Sequence, residues 1–148
     1  MIAVNQKGLL YMTHAGLPHL LKAAEAGPRT VADIVNISSL AGRVALTNMA
    51  VYNMTKFGVT GFSESIRQEL AKRHVRVGVL RGSVTTELVS HNSAEVTTDI
   101  EANWGGYREL DSDDIADDIV YMSPDLATPP SANCGSCPPN RADETHKP

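Results

Sequence analysis

An α/β fold is predicted for this chain from three observations. Residues 31–38 and 75–80 form short runs of branched apolar residues that read as buried strands. Residues 50–73 carry a three-and-four-residue apolar stripe, Val59, Phe62, Ile66 and Leu70, which is the core face of a helix. The order helix, strand, helix, strand is the alternation that builds a parallel sheet with helices packed on it. With 148 residues, the chain holds one domain's worth of sequence.

The elements follow in order. A helix is expected over 2–25, with Pro18 as a kink. The run Val31 to Ile37 makes a strand whose end delivers Ser38 and Ser39, and Leu40-Ala41-Gly42 breaks the pattern into a loop. The long helix occupies 50–73, and His74 opens the strand over 75–80. An irregular segment leads to a helix over 93–103 and another over 112–122, started by Asp111 or Ser112 as cap and by acids that suit the positive end of the helix dipole. From 124 to 148 the chain is rich in proline, serine and glycine with no period, and is expected to be disordered or frameshifted.

Composition narrows the function classes. A net charge of −4 argues against a nucleic-acid surface. The longest apolar stretches fall far short of the roughly 18–20 residues that span a bilayer, no cleavable leader is evident, and a cytoplasmic location is the expectation. Cys134 and Cys137 have redox or zinc-knuckle spacing, but a structural zinc usually needs four ligands and no second pair exists, and the redox reading lacks its strand–helix setting. His14 and His19 are five residues apart on a helix and do not share a face, so no metal site is expected.

Chemistry concentrates in one segment. Tyr52 and Lys56 are four apart in a helical stretch and would stack on one face. An ammonium beside a phenol favours the phenolate and makes the hydroxyl a usable acid or base near neutral pH. Chance pairing of the tyrosines and lysines would give about 0.14 such pairs, so the pair alone is weak. A strand ending in Ser38-Ser39, thirteen residues ahead of Tyr52, strengthens it, because open α/β sheets place ligands at the carboxyl ends of strands. Ser39, Tyr52 and Lys56 are expected to converge there, with the two hydroxyls close together.

These residues resemble the short-chain dehydrogenase/reductase family. The resemblance covers roughly residues 1–122 and corresponds to the catalytic half of a Rossmann-like, doubly wound parallel sheet, truncated so that 1–123 would be the C-terminal part of the domain. It implies NAD(P)-dependent interconversion of carbonyls and alcohols. On this resemblance Tyr52 exchanges a proton with the substrate oxygen, Ser39 hydrogen-bonds that oxygen, and Lys56 binds the nicotinamide ribose and eases ionisation of the phenol. Asn5, within Val4-Asn5-Gln6-Lys7-Gly8, holds a water that relays the proton. Gly82, Val84 and Thr86 match the turn that holds the nicotinamide carboxamide, along with Tyr52 and Lys56 as cofactor-binding residues. The expected partners are a small alcohol or carbonyl substrate and a second copy of the chain, paired through helices 2–25 and 50–73.

Departures from the family pattern set further expectations. No glycine-rich turn follows a first strand, so the nucleotide-binding half is expected to be missing and the chain to start inside the fold's fourth helix. Arg81 stands where relatives carry two residues, the second a proline. Saturable binding of NADH or NADPH by the chain alone at physiological concentrations is therefore not expected. The alternative function is a non-catalytic fragment that acts only as an interaction or dimerisation module. Two parallel strands with open edges also predict an unstable isolated monomer.

Overall fold

The two apolar runs pair with each other. In a computed structural model, which describes residues 1–84, 92–104 and 110–123, β1 (Ala32–Ile37) lies parallel to β2 (Val75–Leu80), in a register that sets Ala32 beside Val75 and Ile37 beside Leu80. Between them runs α2 (Ala50–Leu70), the crossover that a parallel pair requires. α1 (Leu9–Ala26) precedes β1, and α3 (Ala94–Trp104) and α4 (Ser112–Met122) follow β2. The helices and strands expected from sequence form within a few residues of their expected bounds, and α1 continues through Pro18.

Alternation along the strands sorts the two faces of the sheet. Ala32 and Ile34 of β1 and Val75 and Val77 of β2 share one face, where they pack with Leu17, Leu20, Leu21 and Ala24 of α1 and with Ile66 and Leu70 of α2. Leu70 and Val59 of the predicted stripe are buried. The other face receives α4: the Met122 methyl lies where a Cβ on Gly78 would be, so any larger residue there would have to move that side chain. Helices thus cover both faces, as in a doubly wound sheet.

Three local features shape the carboxyl end of the sheet. Ala3–Gly8 is a π-helical stretch that feeds directly into α1, a form that the sequence reading does not anticipate. After β1, Leu40–Gly42 makes a single 3₁₀ turn whose cap is Ser39, its side chain accepting from the Ala41 amide at 3.2 Å. Asn53 then holds the loop ahead of α2 through both ends of its carboxamide, donating to the Leu46 carbonyl at 2.7 Å and accepting from the Leu46 amide at 3.3 Å. At the other end of α2, His74 takes a left-handed conformation (φ 55°) that turns the chain into β2. Thr86, the segment 124–148 and its two cysteines lie outside the described residues.

Candidate functional site

Ser38 and Ser39 leave the carboxyl end of β1, and Gly82 and Val84 follow the same end of β2, because the strands are parallel. Lys56 reaches this end from α2: its Nζ donates to the Ile37 carbonyl at 3.1 Å. Tyr52 sits one turn earlier, its ring centroid 5.7 Å from that ammonium, within the range of a cation–π contact. Burial disfavours the charged form of Lys56 and pushes its pKa below the usual lysine value. One bond to Ile37 still leaves donor capacity on the ammonium.

The serines divide their roles. Ser38 is buried and structural: its hydroxyl bonds the Lys56 carbonyl at 3.2 Å and lies 3.1 Å from Thr60 Oγ1, which fastens the end of β1 to α2. Ser39 is half-buried, and accepting from Ala41 leaves its proton available to a ligand oxygen. Among the described residues no hydrogen bond joins Ser39 to the Tyr52 hydroxyl. Gly42 makes the close approach possible, since a Cβ there would strike Ser38 Oγ and stand 2.7 Å from the Lys56 carbonyl.

Asn5 is brought in from the π-helical stretch, its Nδ2 donating to Thr55 Oγ1 at 3.2 Å. Gln6 beside it donates to the Thr55 carbonyl. Asn5, Lys56, Ile37 and Val59 line one open groove of about 310 Å³. The structure therefore joins Asn5 and Lys56 in a groove, with Tyr52 a turn away and Ser39 at its capped turn. Gly82 packs against α4 and Leu110 instead, with a notional Cβ 3.1 Å from Leu110, while Val84 forms an isolated parallel bridge to Leu110. The supporting polar residues Thr55, Gln6, Asn53 and Thr60 have no role assigned by sequence. A signal was present for Thr55, a β-branched polar residue on the inward side of a helix and next to Lys56.

Among the described residues no group of three or more His, Cys, Asp or Glu side chains could hold a metal ion, and no helix is long and apolar enough to cross a membrane. The residues fit the nicotinamide end of a dinucleotide: spare lysine donors, a hydroxyl and a groove at the strand ends. Among the described residues no helix-terminal glycine turn for a pyrophosphate accompanies them.

The family described as short chain dehydrogenase matches residues 1–97. This corrects the extent and placement read from sequence: the match stops at 97 rather than 122, and it supports membership over the N-terminal stretch of this chain, not assignment of the chain to a C-terminal catalytic half. An uncharacterized oxidoreductase of Staphylococcus saprophyticus is 32% identical over 122 residues, covering 82% of this chain and 45% of that protein. A sulfoacetaldehyde reductase of Chromohalobacter salexigens is 33% identical over 134 residues, 90% of this chain and 50% of its own length. Among solved structures, a serine dehydrogenase complexed with NADP+ superposes with a TM-score of 0.68 at 30% identity over 87% of this chain and 49% of that one. A 3-ketoacyl-(acyl-carrier-protein) reductase from Brucella melitensis complexed with NADH has the same TM-score at 27% identity, over 84% and 50%. The chain spans about half the length of these relatives, and its α/β architecture is a partial Rossmann-like sheet of their kind.

Proposed function

The chain belongs to the short-chain dehydrogenase family, and we propose that it serves NAD(P)-dependent interconversion of a carbonyl and an alcohol, supplying the groups that handle the oxygen's proton. The observation that carries this reading is the Lys56 ammonium held at the end of β1, 5.7 Å from the Tyr52 ring and in one groove with Asn5. In this reading Tyr52 gives its proton to the substrate oxygen in reduction and takes it back in oxidation. Lys56 favours the anionic phenolate left behind, Ser39 donates to the same oxygen, and Asn5 holds the water through which the proton is replaced. A nicotinamide cofactor, when bound, supplies or accepts the hydride. Lys56, Tyr52, Gly82, Val84 and Thr86 are the residues assigned to its nicotinamide end, and relatives solved with NADP+ and NADH support that assignment by kinship.

Reduction of a panel of aldehydes and ketones by NADPH and NADH, with cofactor raised to the millimolar range, tests the reading. Wild-type chain is expected to show turnover that Tyr52→Phe lowers by about 10²–10⁴, while Tyr11→Phe leaves it intact. Equal rates for wild type and Tyr52→Phe would overturn it. The residues assigned here address the nicotinamide end, so weak cofactor binding is expected of this stretch of chain. Forfeiting about 4 kcal/mol turns a micromolar dissociation constant into about a millimolar one.

A second reading, an interaction module without turnover, is favoured by one observation. α1 and α2 expose the large apolar residues Tyr11, Met12, Val51, Met54 and Phe57.

A further inference from the structure

The Thr55 hydroxyl has a single hydrogen, which it gives to the Tyr52 carbonyl at 2.8 Å. Only lone pairs remain on that oxygen, so its neighbour at 3.2 Å must approach as a donor. That neighbour is Asn5 Nδ2. One bond therefore decides the other: the Asn5 carboxamide turns its nitrogen toward Thr55 and keeps Oδ1 as its free acceptor. Thr55 is fully buried, so water does not substitute for either partner.

The surroundings reinforce this link. Gln6, the next residue of the π-helical stretch, donates to the backbone carbonyl of the same threonine. Gly58, three residues further along α2, leaves room for it, since a Cβ there would come within 2.6 Å of Gln6 Nε2. Two consecutive side chains of one helix thus grip one residue of another. The gripped residue lies between Tyr52 and Lys56 on their shared turn.

We infer that Thr55 is a positioning residue: its hydroxyl sets the orientation of the Asn5 carboxamide and ties it to the turn of α2 that carries Tyr52 and Lys56. The inference rests on the proposed function, in which Asn5, Tyr52 and Lys56 act together, but the positioning itself is readable without turnover. π-helical turns recur at functional sites, and here that turn presents Asn5.

The experiment follows the side-chain amide of Asn5 by ¹⁵N NMR, its resonance identified by loss in Asn5→Ala. Thr55→Val keeps the shape and removes the hydroxyl, and hydrogen exchange of the Asn5 amide is expected to speed up about tenfold, the factor one hydrogen bond of ordinary net strength supplies. Thr55→Ser restores the hydroxyl and is expected to restore the slow exchange. Unchanged exchange in Thr55→Val overturns the inference. If that variant does not fold, the wild-type chain decides: a through-space cross-peak between the Asn5 amide protons and Thr55 supports the link, and its absence refutes it. Where turnover is measurable, Thr55→Val is expected to lower kcat with little change in KM, and Thr55→Ser to recover it. A chain with no turnover but with the expected exchange pattern would sink the proposed function and leave Thr55 in place.

Discussion

Lys56 and Asp33 are the residues whose charge the fold changes most usefully. Desolvation lowers the pKa of Lys56 below the usual 10.5, so over the interval between the folded value and 10.5 the unfolded chain binds the proton more strongly. Stability then rises with pH through that interval. Urea unfolding across the alkaline range is expected to show this rise in wild type and a flatter profile in Lys56→Met. Asp33 behaves in the opposite sense. Its carboxylate accepts from Arg76 Nε at 2.6 Å, opposite it in the register, and from Arg29 at 3.0 Å. The Arg76 bond is the largest influence on its pKa; burial opposes it, Arg29 adds to it, and the net shift is downward from 3.8. The resulting stabilisation is present above 3.8 and is lost as pH falls through the folded value. Asp33→Asn is expected to cost about 1–3 kcal/mol near neutrality, and the difference from wild type should vanish in strong acid.

Among the elements, α2 is where close packing and helix propensity compete. Gly42 lets the 3₁₀ turn lie against the Lys56 carbonyl, and the methyl of Gly42→Ala would press on backbone that cannot move away. A loss of about 1–3 kcal/mol is expected in chemical denaturation, typical of overpacking. Gly61, by contrast, has nothing within 4 Å of where its Cβ would lie. Gly61→Ala in this exposed helix position is expected to stabilise a dilute sample by about 1 kcal/mol through propensity alone. Gly58→Ala falls between these cases: it gains the same propensity but displaces the flexible Gln6 side chain from the Thr55 carbonyl, so its net effect is expected to be small. The reverse order for Gly42 and Gly61 would contradict the packing described for the turn after β1.

For the whole molecule, burial is uneven. One face of the sheet is filled by α1 and α2, yet the outer sides of these helices keep Tyr11 70% and Met12 74% exposed, with Val51, Met54 and Phe57 at three-residue steps along α2. Such a stripe on a charged chain suits a second apolar surface. We propose self-association through these two helices, the partner that family resemblance implies. Sedimentation equilibrium should show a concentration-dependent dimer that Phe57→Glu returns to monomer; a wild-type chain that stays monomeric at high concentration would exclude it. Among the described residues β1 pairs only with β2, and an open parallel edge of that kind offers its backbone to any extended segment.

By itself, the sequence determined the α/β alternation, the strands at 32–37 and 75–80 to within a residue, and the inward stripe of α2. Periodicity and branching report burial directly, and burial along one segment is a local property. Tyr52, Lys56 and Ser39 were legible as a candidate site for the same reason, because a helical turn and a strand end fix their spacing within short stretches of chain. Tertiary structure alone decided that Ser38 is a fastening and Ser39 a cap, that Asn53 clamps Leu46, and that Asn5 meets Tyr52 and Lys56 through Thr55. Those contacts join residues as many as fifty positions apart. Hydrogen bonds depend on angstrom-scale approach between packed elements, which no pattern within one element encodes. The π-helical turn at Ala3–Gly8 belongs to the same class, since its side chains are held by what α2 presents to them.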